Sequence, residues 1–340
     1  MSLSSKLIQG TKPEASTIAE IQQATGVPSD RQIALMVFET SFKEMENGMG
    51  SIEEFFVHQI TSGPNTFLTN AFLVETSGSV VAVDAMMTVS DARDLRRHVD
   101  NLGKPLRAVL ITHGHPDHYN GVGELLKGLG KIPVVATESV ARTMRRIDDA
   151  KEIQWRPVFG EEWPKERVFP DLFVIDRDTL LFDGVPFTVR ELGPGESSCD
   201  LLWTVGGPSR VAFAGDVVFG RVHSFMNDGH TSDWLASLDI LEKELNGVEI
   251  LYAGHGDSGR PFEMIDEQRR YLLHYRKMVG KLAKGETSLD VEAKKNLVRA
   301  MKEHLPTEAL EVFIAAGADA VASELRAASD SSTVAIRGMA

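Results

Sequence analysis

The run His113-Gly114-His115-Pro116-Asp117-His118 places three imidazoles and a carboxylate within six residues. It follows directly on LRAVLIT, Leu106 to Thr112, an apolar segment of strand length. Side chains at i and i+2 of an extended chain face the same way, so His113 and His115 can grip one ion. Pro116 then bends the backbone and turns Asp117 and His118 toward a second position. Neutral imidazole and carboxylate are ligands suited to zinc, iron or manganese. No other motif competes: there is no Gly-x-x-x-x-Gly-Lys-Ser/Thr phosphate loop and no Gly-x-Ser-x-Gly nucleophile elbow. Cys199, the single cysteine, reads as a small buried residue rather than a nucleophile.

The elements that must hold this run are β-rich. TFLTNAFLVET, a Ser/Gly turn and SVVAVDA predict a hairpin, and a helix over Ser90 to Leu102 leads into the motif strand. A helix in GVGELLKGLG, the strand KIPVVAT and the helix TESVARTMRRIDDA continue in βαβα order. The second half repeats the theme with strands DLFVID, TLLF, PFTVREL, LLWTV and RVAFAGDVVF, a helix near Ser232 to Leu245, and a last strand, VEILYAG. Two β-rich halves with outer helices predict an α/β fold, a four-layer αββα sandwich. Residues 1–52 read as a helical N-terminal extension, 53–260 as the catalytic domain and 261–340 as a helical C-terminal extension with a loose tail, SSTVAIRGMA.

With 36 basic and 49 acidic residues the 340-residue chain carries a formal net charge of −13, which argues against nucleic-acid and anionic-membrane partners. One cysteine excludes a disulfide scaffold, and no stretch is apolar and long enough to cross a bilayer. A cytoplasmic protein is expected, with a small molecule as partner. The two helical extensions exceed what one αββα core needs, so a homodimer is expected, with an extension crossing to the partner or roofing the active site.

The His-x-His-x-Asp-His motif at a strand end resembles that of the metallo-β-lactamase superfamily, over about Thr66 to Gly259. The resemblance implies an αββα fold and further metal ligands at later strand ends. Asp216 in FAGDVVF resembles the family's bridging carboxylate, and His255 in LYAGHG its final histidine. The chain departs from the family pattern once. Where a Gly-His-Thr/Ser turn is usual it has Gly193-Pro194-Gly195-Glu196-Ser197-Ser198-Cys199-Asp200, with Glu196 in the histidine's place and Asp200 in reserve. Relatives resembling alkyl sulfatases use acidic residues in this region.

The resemblance therefore implies two divalent ions, zinc first, with manganese or iron as alternatives. His113, His115 and Glu196 would hold one ion; Asp117, His118 and His255 the other; Asp216 would bridge them. Asp117 is also the catalytic candidate, orienting a metal-activated hydroxide that attacks an ester, thioester, lactone, amide or sulfate ester. Tyr119, Asn120, His223 and His230 are candidate substrate contacts. The competing readings are an iron-dependent oxidoreductase resembling persulfide dioxygenases, and a non-catalytic binding protein whose first metal position is degraded.

Overall fold

Val80–Val83 (β3) and Val134–Thr137 (β5) are buried along their whole length, as strands covered on both faces must be. They belong to a six-stranded sheet in the order β1 to β6, with β1 (Phe56–Thr61), β2 (Asn70–Glu75), β4 (Leu106–Leu110) and β6 (Leu172–Val174). The first three strands run antiparallel and β3 to β6 parallel. A second sheet has five strands in the order β12, β10, β9, β8, β7. These are β7 (Thr179–Phe182), β8 (Val185–Gly193), β9 (Asp200–Val205), β10 (Arg210–Phe213) and β12 (Val248–Tyr252). Between β10 and β12 the chain makes the short β11 (Phe219–Gly220), which pairs in parallel with β13 (His255–Gly256). This computed structural model describes residues 54–207 and 210–337, with side chains to Asp330. The predicted N-terminal helical extension lies outside the described residues. The described residues belong to one compact unit.

Strand alternation builds two cores. Val185, Phe187 and Val189 of β8, Leu201, Trp203 and Val205 of β9 and Phe213 of β10 face the first sheet and share one apolar cluster with Val81, Leu110 and Val135. Leu202 and Ala212 point the other way, into a second cluster with the outer helices. Val89–Leu102 (α1) and Glu138–Phe159 (α4) cover the first sheet through Leu95, Val99, Val140 and Met144. The result is the predicted four-layer αββα sandwich. Full burial stabilises by about 1.5–3 kcal/mol for each such side chain.

The C-terminal helices are part of this core. Thr231–Glu244 (α5), Pro261–Ala283 (α6), Val291–His304 (α7), Val312–Ala316 (α8) and Ala318–Arg337 (α9) bury Trp234, Leu238, Leu272, Tyr275, Leu297, Ile314 and Val321 together with Leu251 of β12. These helices still leave Phe262, Leu273, Val291 and Val312 exposed. α9 also runs to Arg337, through most of the tail expected to be loose. Among the described residues no helix is long and apolar enough to cross a membrane.

Candidate metal centre

The metal-centre residues come from four places that the two sheets bring to one edge. β4 ends at Leu110, and a short helix, Pro116–Tyr119 (α2), begins with Pro at its first position, so the motif spans the strand end and the helix start. β9 is stitched to this strand end: Leu201 N–H donates to Thr112 O at 2.9 Å and Trp203 Nε1 to Ile111 O at 3.1 Å. The loop between β8 and β9 thereby places Glu196 beside the histidines. Asp200 braces that loop, accepting from Ser197 N–H at 3.1 Å and Ser197 Oγ at 2.9 Å, so the reserve ligand is a structural group. Asp216 sits on the 3₁₀ turn Gly215–Val217 after β10. His255 crosses from the second sheet because Asn70 of β2 bonds the carbonyls of Ala253 and Gly256, each at 2.9 Å. Gly254 has to be glycine, since a β-carbon there would lie 1.9 Å from Asp216 Oδ1.

The candidate ligand atoms converge. Glu196 Oε2 lies 2.9 Å from His115 Nδ1 and 3.6 Å from His113 Nε2. Asp117 Oδ2 lies 3.6 Å from His118 Nε2 and 3.3 Å from His255 Nε2. Asp216 stands between the two groups, 3.3 Å from His118 Nε2, 3.0 Å from His255 Nε2 and 3.9 Å from His113 Nε2. These separations suit ligands around shared ions, and three groups could hold one: His113, His115 and Glu196; Asp117, His118 and His255; and His113, His118 and Asp216.

The second nitrogen of every histidine is held by an acceptor. His118 Nδ1 faces Asp84 Oδ2 at 2.8 Å, and His255 Nδ1 faces the Phe67 carbonyl at 2.8 Å. His115 Nε2 faces Asp228 Oδ2 at 3.2 Å. His113 Nδ1 faces Thr112 Oγ1 at 3.1 Å, and that hydroxyl itself donates to Asp84 Oδ2 at 2.8 Å. Each ring is thus fixed in orientation, with its other nitrogen turned inward. Inside, His113 Nε2, His118 Nε2, both Glu196 oxygens and Asp216 Oδ1 are buried without any hydrogen bond of acceptable geometry. Buried polar groups are rarely left so, and five at one point fit a donor set for divalent cations.

The electrostatics agree. Burial raises the Glu196 carboxyl to about 8 and the Asp200 carboxyl to about 7. Burial opposes charge on His255, yet the Asp216 and Asp117 carboxylates raise its pKa to about 10. His118 is likewise raised against burial by Asp216, Asp117 and Asp84. His113, by contrast, is pushed down by burial and by the neighbouring His118. Asp228 is held at about 2, against burial, by its bond to His115. Burial thus disfavours charge on Glu196 and Asp200 in the absence of a cation, and a bound cation would favour their ionised forms.

Of the four candidate substrate contacts, three are engaged elsewhere. Tyr119 donates its hydroxyl to Asp148 on α4 at 3.1 Å, Asn120 Nδ2 bonds the Met87 carbonyl at 2.9 Å, and both are buried. Both ring nitrogens of His223 are bonded, Nδ1 to Tyr271 Oη at 2.9 Å and Nε2 to the Thr307 carbonyl at 3.1 Å, so His223 ties the metal-centre loop to the C-terminal helices. These three are corrected to structural roles. His230, at the start of α5, is half-buried and close enough to Asp228 to influence its charge.

Sequence reasoning missed Asp84. It ends β3 in a left-handed backbone conformation (φ 62°) and takes Thr112 N–H, Thr112 Oγ1–H and His118. The signal existed, because VVAVDA ends an apolar strand in aspartate just as FAGD does. Asp84→Asn keeps the shape but turns either an amide nitrogen or a weaker acceptor toward His118. We expect metal affinity to fall about 10–100-fold in competition with a chromophoric chelator, and unchanged affinity would refute the role.

The Phe313 ring stands 6.4 Å from that of His255 and 5.3 Å from Phe67, and Phe225 stands 5.7 Å from His115. Phe67 also meets Trp155 of α4 at 5.4 Å. From the C-terminal segment, Phe313 of α8 is thus the ring that comes near the centre.

Fold and site together define a metallo-hydrolase-type αββα protein with a buried histidine and carboxylate centre. The chain belongs to the metallo-beta-lactamase superfamily, whose family model matches residues 64–255. Among curated proteins it is 38% identical over 246 residues to exodeoxyribonuclease WalJ of Streptococcus pneumoniae, covering 66% of this chain and 88% of the relative. It is 24% identical over 184 residues to a hydroxyacylglutathione hydrolase of Prochlorococcus marinus, covering 54% and 63%. Across the curated relatives the chain spans from 35% to 88% of their lengths. A metallo-beta-lactamase from Pontibacter korlensis superposes with a TM-score of 0.52 at 17% identity, over 67% of this chain and 97% of that one, which shows the shared fold.

Proposed function

We propose that this chain is a binuclear metal-dependent hydrolase, zinc being the preferred ion, that cleaves an ester, thioester, lactone, amide or sulfate ester of a small molecule in the cytoplasm. The carrying observation is the set of four histidines whose outer nitrogens are all bonded, leaving four inner nitrogens aimed at three carboxylates. His113, His115 and Glu196 would hold one ion, Asp117, His118 and His255 the other, with Asp216 between. Divalent ions bound there would supply Lewis acidity and a water of lowered pKa.

The protein's own groups do the rest. Thr69 Oγ1 donates to Asp117 Oδ2 at 3.2 Å, which fixes that carboxylate to orient the attacking water by accepting a hydrogen bond. Asp84 and Asp228 hold the imidazoles against rotation, so the ligand set is ordered before substrate arrives. Phe67, Phe225 and Phe313 line the approach and exclude bulk water, which strengthens electrostatic interactions inside. Lys151 lies over the Phe225 ring at 5.9 Å and offers a cation one ring away from His115.

A second reading is DNA phosphodiester cleavage, favoured by the pneumococcal relative named as an exodeoxyribonuclease and opposed by the net charge of −13. One experiment tests both. Metal-free protein is reloaded separately with Zn, Mn or Fe and assayed on esters, thioesters, lactones, sulfate esters, β-lactams and single-stranded DNA. Activity should vanish with a chelator and return with a divalent ion, on a small-molecule substrate. Cleavage of DNA alone selects the second reading. Activity that survives complete metal removal, or oxygen uptake with a single iron, rejects hydrolysis by this centre.

A further inference from the structure

A second cavity, of about 250 Å³, lies beside the ladder that carries His255. Its floor is buried and largely apolar, formed by Phe219, Val222 and Tyr271, with the Ser224 side chain among them. Phe219 is shared with the metal centre, since its ring also stacks on His255 at 5.2 Å and 3°. The rim is exposed and carries two cations, Arg221 and Arg270, with one carboxylate, Glu267, and the His304 imidazole. A net positive cavity is unexpected on a chain of net charge −13.

The two guanidinium groups are free to act. Arg221 adopts a left-handed backbone conformation (φ 61°), which a residue bearing a β-carbon holds only where its surroundings impose it. Among the described residues it has no ion pair. Arg270 has one carboxylate neighbour, Asp266, at a long 3.8 Å on an exposed helix face. His304 stacks on His274 at 4.3 Å, and its pKa is lowered by burial, by His274 and by Arg270, as expected where positive charge gathers without a counterion.

We propose that this cavity binds a small organic anion, with Arg221 and Arg270 taking a carboxylate or phosphate-type group and Phe219 and Leu305 packing against a compact apolar body. Guanidinium forks match both oxyanions in geometry. The volume is just below the roughly 300–1,000 Å³ of drug-sized ligand sites, which limits the body to about one ring. This site is separate from the hydrolytic reading and does not depend on it.

The test is calorimetric titration of the metal-loaded full chain with benzoate and with phenylphosphonate, which carries no hydrolysable ester. Benzamide controls for charge and inorganic phosphate for the apolar body. Benzoate and phenylphosphonate should bind, whichever is tighter identifying the preferred oxyanion, and each control should be at least about tenfold weaker. Arg221→Gln and Arg270→Gln should each weaken binding about tenfold or more, and Glu267→Gln should tighten it. Binding should persist in Asp216→Ala, where the metal centre is disabled. Equal affinity in wild type and both arginine variants would place the probes on the metal centre and overturn the proposal. Equal binding of benzamide, or no binding by either anion at millimolar concentration, would overturn it as well.

Discussion

Asp216→Ala should lower kcat/KM by well over the roughly 10–100-fold that follows loss of a residue merely supporting a metal ligand. It should also take metal content below that of every single-histidine variant. The carboxylate is the one group within 4 Å of inner nitrogens on both sides of the centre, touching His118 and His255 and reaching toward His113. Its removal leaves those imidazoles without their shared anion, so both positions lose a ligand at once. Asp216→Asn keeps the shape and loses the charge, and should behave nearly as badly, because a neutral amide is a far poorer partner for divalent cations. Metal content by elemental analysis and kcat/KM on the best substrate check this together. Two ions and near-normal activity in Asp216→Ala would refute the bridging role while leaving the fold untouched.

Glu196 should show opposite effects with and without metal. Its carboxylate is buried, and neither oxygen has a hydrogen bond of acceptable geometry, the nearest polar atom being His115 Nδ1 at 2.9 Å. In metal-free protein such a group is a liability, on the order of 1–3 kcal/mol for an unsatisfied buried polar group. Glu196→Ala should therefore leave metal-free stability unchanged or raised, measured by urea unfolding. With metal added, the wild type should gain stability and Glu196→Ala should gain much less, because one ion loses its carboxylate. The ion beside His113 and His115 should be depleted far more than its neighbour. Glu196→Gln should weaken the same site, and Glu196→His should restore it with a preference shifted toward zinc, since imidazole suits that ion. If Glu196 is only a loop residue, metal content and metal-induced stabilisation will be unaffected by all three changes.

How much of this was legible in the chain can be judged residue by residue. The motif strand, the αββα layering and the pairing of His113 and His115 follow from local patterns, whereas Glu196, Asp216 and His255 were legible only through the family resemblance. Apolar runs of strand length end in ligand-type residues, and in an open sheet of this kind strand ends share an edge. The departure at Glu196 was also visible, because a carboxylate stood where an imidazole was expected.

Side-chain direction was not legible. Tyr119 and Asn120 adjoin the motif in sequence, yet the end of α2 turns them into the interior, where Asp148 and the Met87 carbonyl hold them. His223 lies seven residues after Asp216, but its ring nitrogens reach Tyr271 and Thr307, partners far along the chain.

By itself, then, the sequence determined the elements and the ligand types, because periodicity, turn residues and donor chemistry are local properties of a chain. Tertiary structure alone decided how each histidine ring is turned, since that depends on partners such as Asp84 and the Phe67 carbonyl, the latter 188 positions from His255. It also decided that Phe313 of α8 comes near the centre, and that Arg221, Arg270 and His304 share a rim. Hydrogen bonds and packing between distant segments leave no period in a sequence, because each partner satisfies its own local rule wherever the other one lies.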